Sequence, residues 1–399
     1  MMDVESIRED FTVLKTGVAY FDSACMALKP RQVVEAQDEY YSDYPGCAGR
    51  SLHRLGKKTE EKFEEARSKV ATFVSCSPEE VVFTRNTTEA INLVARTLDF
   101  TERNGVTTSV MEHHSALLPF MMLSKHGKIR LDYVAADVEG VTQAGEWRKK
   151  INSSTRLVVV HHTTNSVGTR APLAEVIKAA HDAGALVLVD SAQGVPHCET
   201  NFKKLGADFM AFSGHKMLGP TGTGCLVARR ELLEELPPFM TGGETVERVS
   251  LDSVTFLKPP QRFEAGLQNY AGMIGLGAAC DYLSKVGMKN VEAHEHALAS
   301  KLFEALSDVK GTRIYGPSDA GKRTALAAFN LGKAKPHEIA MLLDKTAKIA
   351  VRSGVFCAEP AMTHLGAGSG AVRASLYLYN TEEEVQLFGE ALSKIAELY

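Results

Sequence analysis

No apolar run in this sequence is long enough to cross a bilayer, which excludes a transmembrane helix. The cysteines number seven (Cys25, Cys47, Cys76, Cys198, Cys225, Cys280, Cys357), are scattered, and contain no C-x-x-C pair. That pattern argues against a disulfide framework and against a zinc site, and for reduced thiols of which most are buried filler. Positive charge is not in surplus. A formal net charge of -4 leaves no footprint for nucleic acid and none for an acidic membrane surface. Internal repeats and low-complexity linkers are also missing. The N-terminus carries Asp3, Glu5, Glu9 and Asp10, too acidic for a signal or transit peptide, so the expected location is cytoplasmic.

What is present is an ordinary globular composition, 44% hydrophobic and 24% charged, over 399 residues. A chain of that length exceeds what one core usually serves, so two domains are expected. The most informative stretch is Ala207 to Thr223. Its apolar run Phe209 to Phe212 reads as a buried strand and stops at Ser213-Gly214-His215-Lys216, four residues with no place in a sheet interior. Ligands of open α/β sheets collect beyond the carboxyl ends of strands, so Lys216 points into the expected site. A lysine against low-dielectric walls loses proton affinity and becomes a nucleophilic amine, suited to Schiff-base formation with an aldehyde.

A βαβ unit precedes it. Leu157 to Val160 is an apolar strand, Pro172 opens a helix with Val176, Ile177 and Ala180 facing inward, Gly184 ends it, and Ala185 to Val189 is the next strand. The two strands end in Thr163-Thr164-Asn165 and Asp190-Ser191-Ala192-Gln193, delivering side chains to the rim that holds Lys216. Further back, Val81 to Phe83 is a short strand, and the Arg85-Asn86-Thr87-Thr88-Glu89 run opens a helix, with Thr87 expected as its cap. Free N–H groups, two hydroxyls and the positive end of the helix dipole make a phosphate cradle of Thr87 and Thr88. Val106 to Met111 is β-prone and ends in Glu112-His113-His114, and Ile129 to Val134 reads as an edge strand. Residues 1 to about 12 read as a helix, Val18 to Asp22 as a strand, and Tyr44 to Leu55 and Met240 to Ser250 as loops. The first of these loops carries Arg50, a candidate for reaching a neighbouring active site.

Near the C-terminus, Arg352-Ser353-Gly354-Val355-Phe356-Cys357 precedes Gly366, Gly368 and Gly370. Glycine density of that kind suggests a mobile segment, suited to a cysteine that must reach a substrate and then leave.

Ser-Gly-His-Lys followed by Gly-Pro-Thr-Gly, Asp-x-x-Gln at 190 to 193, Glu-His-His at 112 to 114, Arg-x-Gly-x-x-Cys at 352 to 357 and the block from Arg373 to Asn380 occur in the order found in class V aminotransferase-like enzymes. The chain most closely resembles cysteine desulfurases of the SufS type, from Asp22 to Asn380. The resemblance implies an α/β fold of the fold-type I (aspartate-aminotransferase-like) pyridoxal 5'-phosphate-dependent class. Its large domain, residues 13 to 285, holds a mostly parallel seven-stranded sheet, and residues 1 to 12 with 286 to 399 form a smaller α/β domain carrying the cysteine loop. It implies that Lys216 binds the cofactor covalently and that Thr87, Thr88, Ser213 and His215 surround it. Asp190 sits at its ring nitrogen and Gln193 at its phenolic oxygen, while His113 stacks on its ring and moves protons. Asn165, Arg373, Arg352 and the backbone around Ala24 meet the substrate, and Cys357 is the nucleophile. The implied reaction takes L-cysteine to L-alanine and an enzyme-bound persulfide for a sulfur-acceptor or iron-sulfur scaffold protein, in a homodimer.

Alternatives remain open at this point: a selenocysteine lyase acting on L-selenocysteine, an aminotransferase or epimerase that does not use Cys357, or a non-catalytic sulfur relay. Two departures stand out. Leu267 occupies a position where the family carries a Thr that reaches the other subunit's phosphate, with Gln268 as a stand-in. Val355-Phe356 replaces two histidines before the cysteine and is expected to make the thiol's surroundings less polar.

Overall fold

The computed structural model describes residues 2–49 and 51–399; Arg50 lies outside the described residues. The larger of its sheets has seven strands in the spatial order Val81–Thr84, Gly224–Ala228, Phe209–Ser213, Leu186–Asp190, Thr155–His161, Gly105–Ser109 and Arg130–Val134. Gly224–Ala228 is antiparallel to both neighbours, and the remaining pairings are parallel. Phe209–Ser213, Gly224–Ala228 and Gly105–Ser109 are buried at every residue. A strand covered on both faces has no solvent side to mark, so its sequence shows a continuous run instead of alternation. Arg130–Val134 is the expected edge strand and is correspondingly more open.

The βαβ unit is formed as expected: Thr155–His161 and Leu186–Asp190 are parallel neighbours joined through the helix Leu173–Asp182. Register decides what that rim carries. His161 is opposite Asp190, and Asp190 is opposite Ala211 on the strand that leads to Lys216. On the other side, Thr84 is opposite Gly224 and Gly224 opposite Ser213, which brings the start of the helix Thr87–Thr97 to the same edge.

A second sheet has the order Ala19–Phe21, Ile349–Gly354, Ala371–Ser375, Leu326–Leu331 and Thr312–Tyr315, with the helices Met288–Asp308, Pro336–Ala347 and Glu382–Ala396 packed together beside it. Its first strand departs from the expected division at residue 13. Ala19, Tyr20 and Phe21 pair in parallel with Ile349, Ala350 and Val351, so this strand belongs to the smaller sheet by its hydrogen bonds. Three residues carry too little pattern to announce so distant a partner. We propose that the large unit begins after Phe21.

Two further expectations are corrected. The N-terminal segment is a helix over Val4–Arg8 followed by a 3-10 turn over Thr12–Thr16, because Phe11 breaks out to pack its ring 4.9 Å from Tyr379 and 6.1 Å from Tyr282. The span 240–250 is not all loop: Val246–Val249 pairs with Val254–Phe256 in an antiparallel hairpin. No helix among the described residues is long and apolar enough to cross a membrane.

The strand Val81–Thr84 is fixed by a buried ion pair. Arg67, on the helix Arg54–Phe73, bonds Glu264 at 2.7 and 2.9 Å, and Glu264 also accepts the Phe83 backbone N–H at 2.7 Å. Both side chains are nearly inaccessible to solvent, and the guanidinium lies 4.4 Å from the Phe83 ring centroid. Removing one partner strands the other charge in a dry interior. Arg67→Ala is expected to cost about 3–5 kcal/mol in a denaturant titration, and a loss under about 1 kcal/mol would show that the pair does not hold this strand.

Candidate active site

The strand Phe209–Ser213 runs into a single 3-10 turn, Gly214–Lys216. The turn is locked by Gly214 N–H donating to the Thr223 carbonyl at 2.8 Å and by Met217 and Gly219 N–H groups returning to the Gly214 carbonyl at 2.9 and 2.8 Å. A Cβ on residue 214 would lie 2.1 Å from Thr223 Oγ1, so only glycine allows this approach. Lys216 therefore leaves the strand in a fixed direction, into a cavity of about 490 Å³. Protein surrounds it on its other sides. That burial pulls the ammonium below the ordinary lysine range, with Asp190 opposing the shift.

The carboxylate of Asp190, a residue 6% exposed, accepts one hydrogen bond, from Ala192 N–H at 3.0 Å, and no other forms to that carboxylate among the described residues. Burial raises its pKa; the Ala192 bond and the Lys216 charge lower it. Such a carboxylate is suited to a cationic ring nitrogen placed in the cavity. Asn165 offers a second vacancy of the same kind, since its Oδ1 is buried without a partner while its Nδ2 donates to the Phe356 carbonyl at 2.7 Å. A desolvated amine, an under-bonded carboxylate and an orphaned amide oxygen around one cavity fit a planar, charged, aldehyde-bearing cofactor.

Lys216, Cys357, His113, Thr87, Thr88, Asn165, Asp190, Gln193, Arg352 and Arg373 all line this cavity, as do Ala24, Ser213 and His215; Leu267 and Gln268 do not. Several of these have partners other than those expected. Asn86, not Thr87, caps the helix Thr87–Thr97: its Oδ1 accepts Glu89 N–H at 3.0 Å. Asn86 has the extended backbone a cap needs, whereas Thr87 is already the first helical residue. The Thr87 hydroxyl instead pairs with Ser213 Oγ at 2.7 Å, and the Thr88 hydroxyl pairs with Ser115 Oγ at 2.6 Å. Gln193 donates to the Ala24 carbonyl at 2.7 Å, using one of its two N–H groups. Gln268 is occupied within its own turn, donating to the Glu264 and Gly266 carbonyls at 2.6 and 2.9 Å, while Leu267 is 73% exposed.

The cysteine segment is less free than its glycines suggest. Ile349–Gly354 is a strand paired antiparallel with Ala371–Ser375, and Arg352 stands opposite Arg373. Like charges across a ladder repel unless an anion joins them. Arg373 is held by the Asn165 carbonyl at 2.9 Å and Asp22 at 3.3 Å, and its Nε is buried without a partner. Only residues 355–358 form a loop before the next helix, Glu359–His364. Phe356 and Cys357 both have positive φ, 58° and 54°, a conformation that costs L residues about 1–2 kcal/mol each. The loop is pinned by Asn165 and by His114 N–H donating to the Cys357 carbonyl at 2.8 Å. The expected apolar surroundings of the thiol are not formed: Phe356 turns inward, its ring 4.9 Å from the Arg373 guanidinium, and Cys357 is exposed.

A model of the class-V aminotransferase family matches residues 19–388. The chain belongs to that family. It is 42% identical over 398 residues to a probable cysteine desulfurase of Methanothermobacter thermautotrophicus, covering 99% of this chain and 98% of that one. It is 39% identical over 405 residues to a cysteine desulfurase of Dickeya dadantii, covering 99% and 97%. Among solved structures, the apo cysteine desulfurase of Thermococcus onnurineus NA1 superposes with a TM-score of 0.96 at 40% identity, covering 100% of this chain and 99% of that one. The cysteine desulfurase CsdA (S-sulfonic acid) of Escherichia coli gives 0.92 at 33% identity, with the same coverage.

Sequence reasoning missed several cavity residues. His161 faces the cavity and bonds Glu112 at 2.7 Å; Glu112 also accepts the Ser109 hydroxyl at 2.6 Å. Glu112 and His161 are far apart in sequence, and only strand register brings them together. Cys25 was passed over within its turn. His113 caps the helix His114–Lys125, its Nδ1 accepting Ser115 N–H at 3.1 Å, which leaves Nε2 to carry the proton. Burial, then the Lys216 charge, pulls its pKa from 6.5 to about 3.

A histidine whose folded pKa is depressed contributes stability that is present above 6.5 and lost as pH falls toward 3. His162 and His215, both pulled down to about 4, act in the same direction. His113→Gln is therefore expected to flatten, without abolishing, the fall in denaturation midpoint between pH 6.5 and 4. An unchanged slope would show that His113 ionises freely in the native protein.

Proposed function

We propose that this chain is a pyridoxal phosphate-dependent cysteine desulfurase that converts L-cysteine to L-alanine and leaves the sulfur as a persulfide on Cys357. One observation carries the reading: an exposed thiol on a strained loop and a desolvated lysine amine line the same cavity, which Arg373 and Arg352 also line. When bound, the cofactor supplies an electron sink for the carbon that loses its proton. Lys216 would hold the cofactor, with Asp190 available to its ring nitrogen. Thr88, Thr87, Ser213 and His215 would hold its phosphate end near the helix N-terminus.

Arg373 receives the substrate carboxylate, its repulsion with Arg352 relieved by the arriving anion. Its buried position, which pulls its pKa down, makes an unaccompanied guanidinium costly there. Lys216 Nζ takes the Cα proton, and neutral His113 offers an N–H at the cavity wall without carrying charge into it. Cys357 thiolate then attacks the substrate sulfur: an S–S bond forms, the C–S bond breaks, and its electron pair stays with the substrate carbon, which is protonated to alanine. The outer sulfur passes to an acceptor protein, with iron-sulfur cluster assembly as the outlet. The active form in this reading is a homodimer, consistent with the outward-facing Leu251 and Leu267.

Alanine and sulfide formed from L-cysteine, measured together with excess reductant, test this. Lys216→Ala is expected to lower both by at least about 100-fold, and Cys357→Ala to lower both to a comparable degree. Wild-type alanine formation by Cys357→Ala would contradict the role of that thiol.

A further inference from the structure

Cys357 is not the only thiol in the cavity. Cys25, half-buried, lines the same cavity as Lys216 and Arg373, and thiolate charge at Cys25 favours the protonated form of each of those two cations. Its turn is rigid. Cys25 N–H donates to the Asp22 carbonyl at 3.0 Å, Ala24 N–H donates to Ser375 Oγ at 3.0 Å, and the Ala24 carbonyl accepts Gln193. Cys357, by contrast, sits in a left-handed backbone three residues after Gly354 at φ 124°, so a change of shape relieves strain in its loop. A fixed thiol and a poised one thus share a single chamber.

We propose that Cys25 is a resolving thiol for the persulfide on Cys357, closing a Cys25–Cys357 disulfide when no acceptor collects the sulfur. The step rests on the desulfurase reading above, and its atoms balance without an outside oxidant. Cys25 thiolate attacks Cys357 Sγ, the Cys25–Cys357 S–S bond forms, the persulfide S–S bond breaks, and hydrosulfide leaves with the electron pair. The persulfide's terminal sulfur is reduced, the two thiols are oxidised, and the enzyme stops after that turnover until a thiol or phosphine reductant reopens it. Charge favours the direction. Arg373 stands by the attacking thiolate, and the leaving anion departs toward the exposed side on which Cys357 lies.

The test uses the cofactor-loaded enzyme given a single equivalent of L-cysteine per site, so that no free thiol remains to reopen the bond, without acceptor or added reductant, quenched with an alkylating agent and mapped by mass spectrometry under non-reducing conditions. The expected product is a peptide pair joined through Cys25 and Cys357, absent before cysteine is added and lost on treatment with a phosphine. In Cys25→Ser the expected change is accumulation of the persulfide on Cys357, with sulfide released per alanine formed falling at least about fivefold. A persulfide on Cys357 in wild type with no linkage to Cys25, and the same sulfide per alanine in Cys25→Ser, would overturn the resolving role and leave the desulfurase reading intact. Alanine formed with no sulfur ever found on Cys357, in either protein, would overturn both.

Discussion

Two opposite charges buried on adjacent parallel strands set the terms for the rest of this molecule. Lys216 and Asp190 leave the ends of neighbouring strands whose register is fixed by hydrophobic runs buried on both faces. Each is shifted by burial toward its neutral form, and each is drawn back by the other. Neither is fully satisfied by protein, so the rim is primed for a ligand that supplies what both lack. The buried Arg67–Glu264 pair plays a supporting part at the other side of the sheet. It holds the strand that brings the helix Thr87–Thr97 up to the same edge.

The second sheet closes the chamber. Its strands place Arg352 and Arg373 side by side and end at a four-residue loop presenting Cys357. Backbone strain at Phe356 and Cys357 is balanced by two hydrogen bonds from the large unit, one from Asn165 and one from His114. Opening the loop therefore exchanges those two bonds for relief of strain, a small net change suited to a segment that must cycle. A contact between the His114 ring and the Glu359 carboxylate lies at the end of the same loop.

Much of this was legible in the sequence, and the reasons are specific. Phe209 to Phe212, Leu157 to Val160 and Leu186 to Val189 are apolar runs ended by polar residues, and such punctuation survives without any knowledge of neighbours. Lys216, Asp190 and Asn165 each follow one of these runs, and Cys357 stands out through the glycines around it. What escaped was whatever depended on a distant partner. Ala19–Phe21 finds its ladder in Ile349–Gly354, and His161 finds Glu112 across strands. The cap at Asn86 was misassigned to Thr87 because both residue types can cap, and only the backbone at 86 distinguishes them. Phe356 hid its role for a related reason, since the destination of its ring is the Arg373 guanidinium and not the neighbouring thiol.

The account stands or falls on Lys216 being the amine that holds the cofactor. Lys29 is the competing amine: burial brings it down to about 8, and it reaches the carbonyl of His215 at 3.4 Å. Borohydride reduction of the cofactor-loaded protein followed by peptide mapping decides between them. A single pyridoxyl label on Lys216 is the predicted result; a label on Lys29, or none on either, would contradict it.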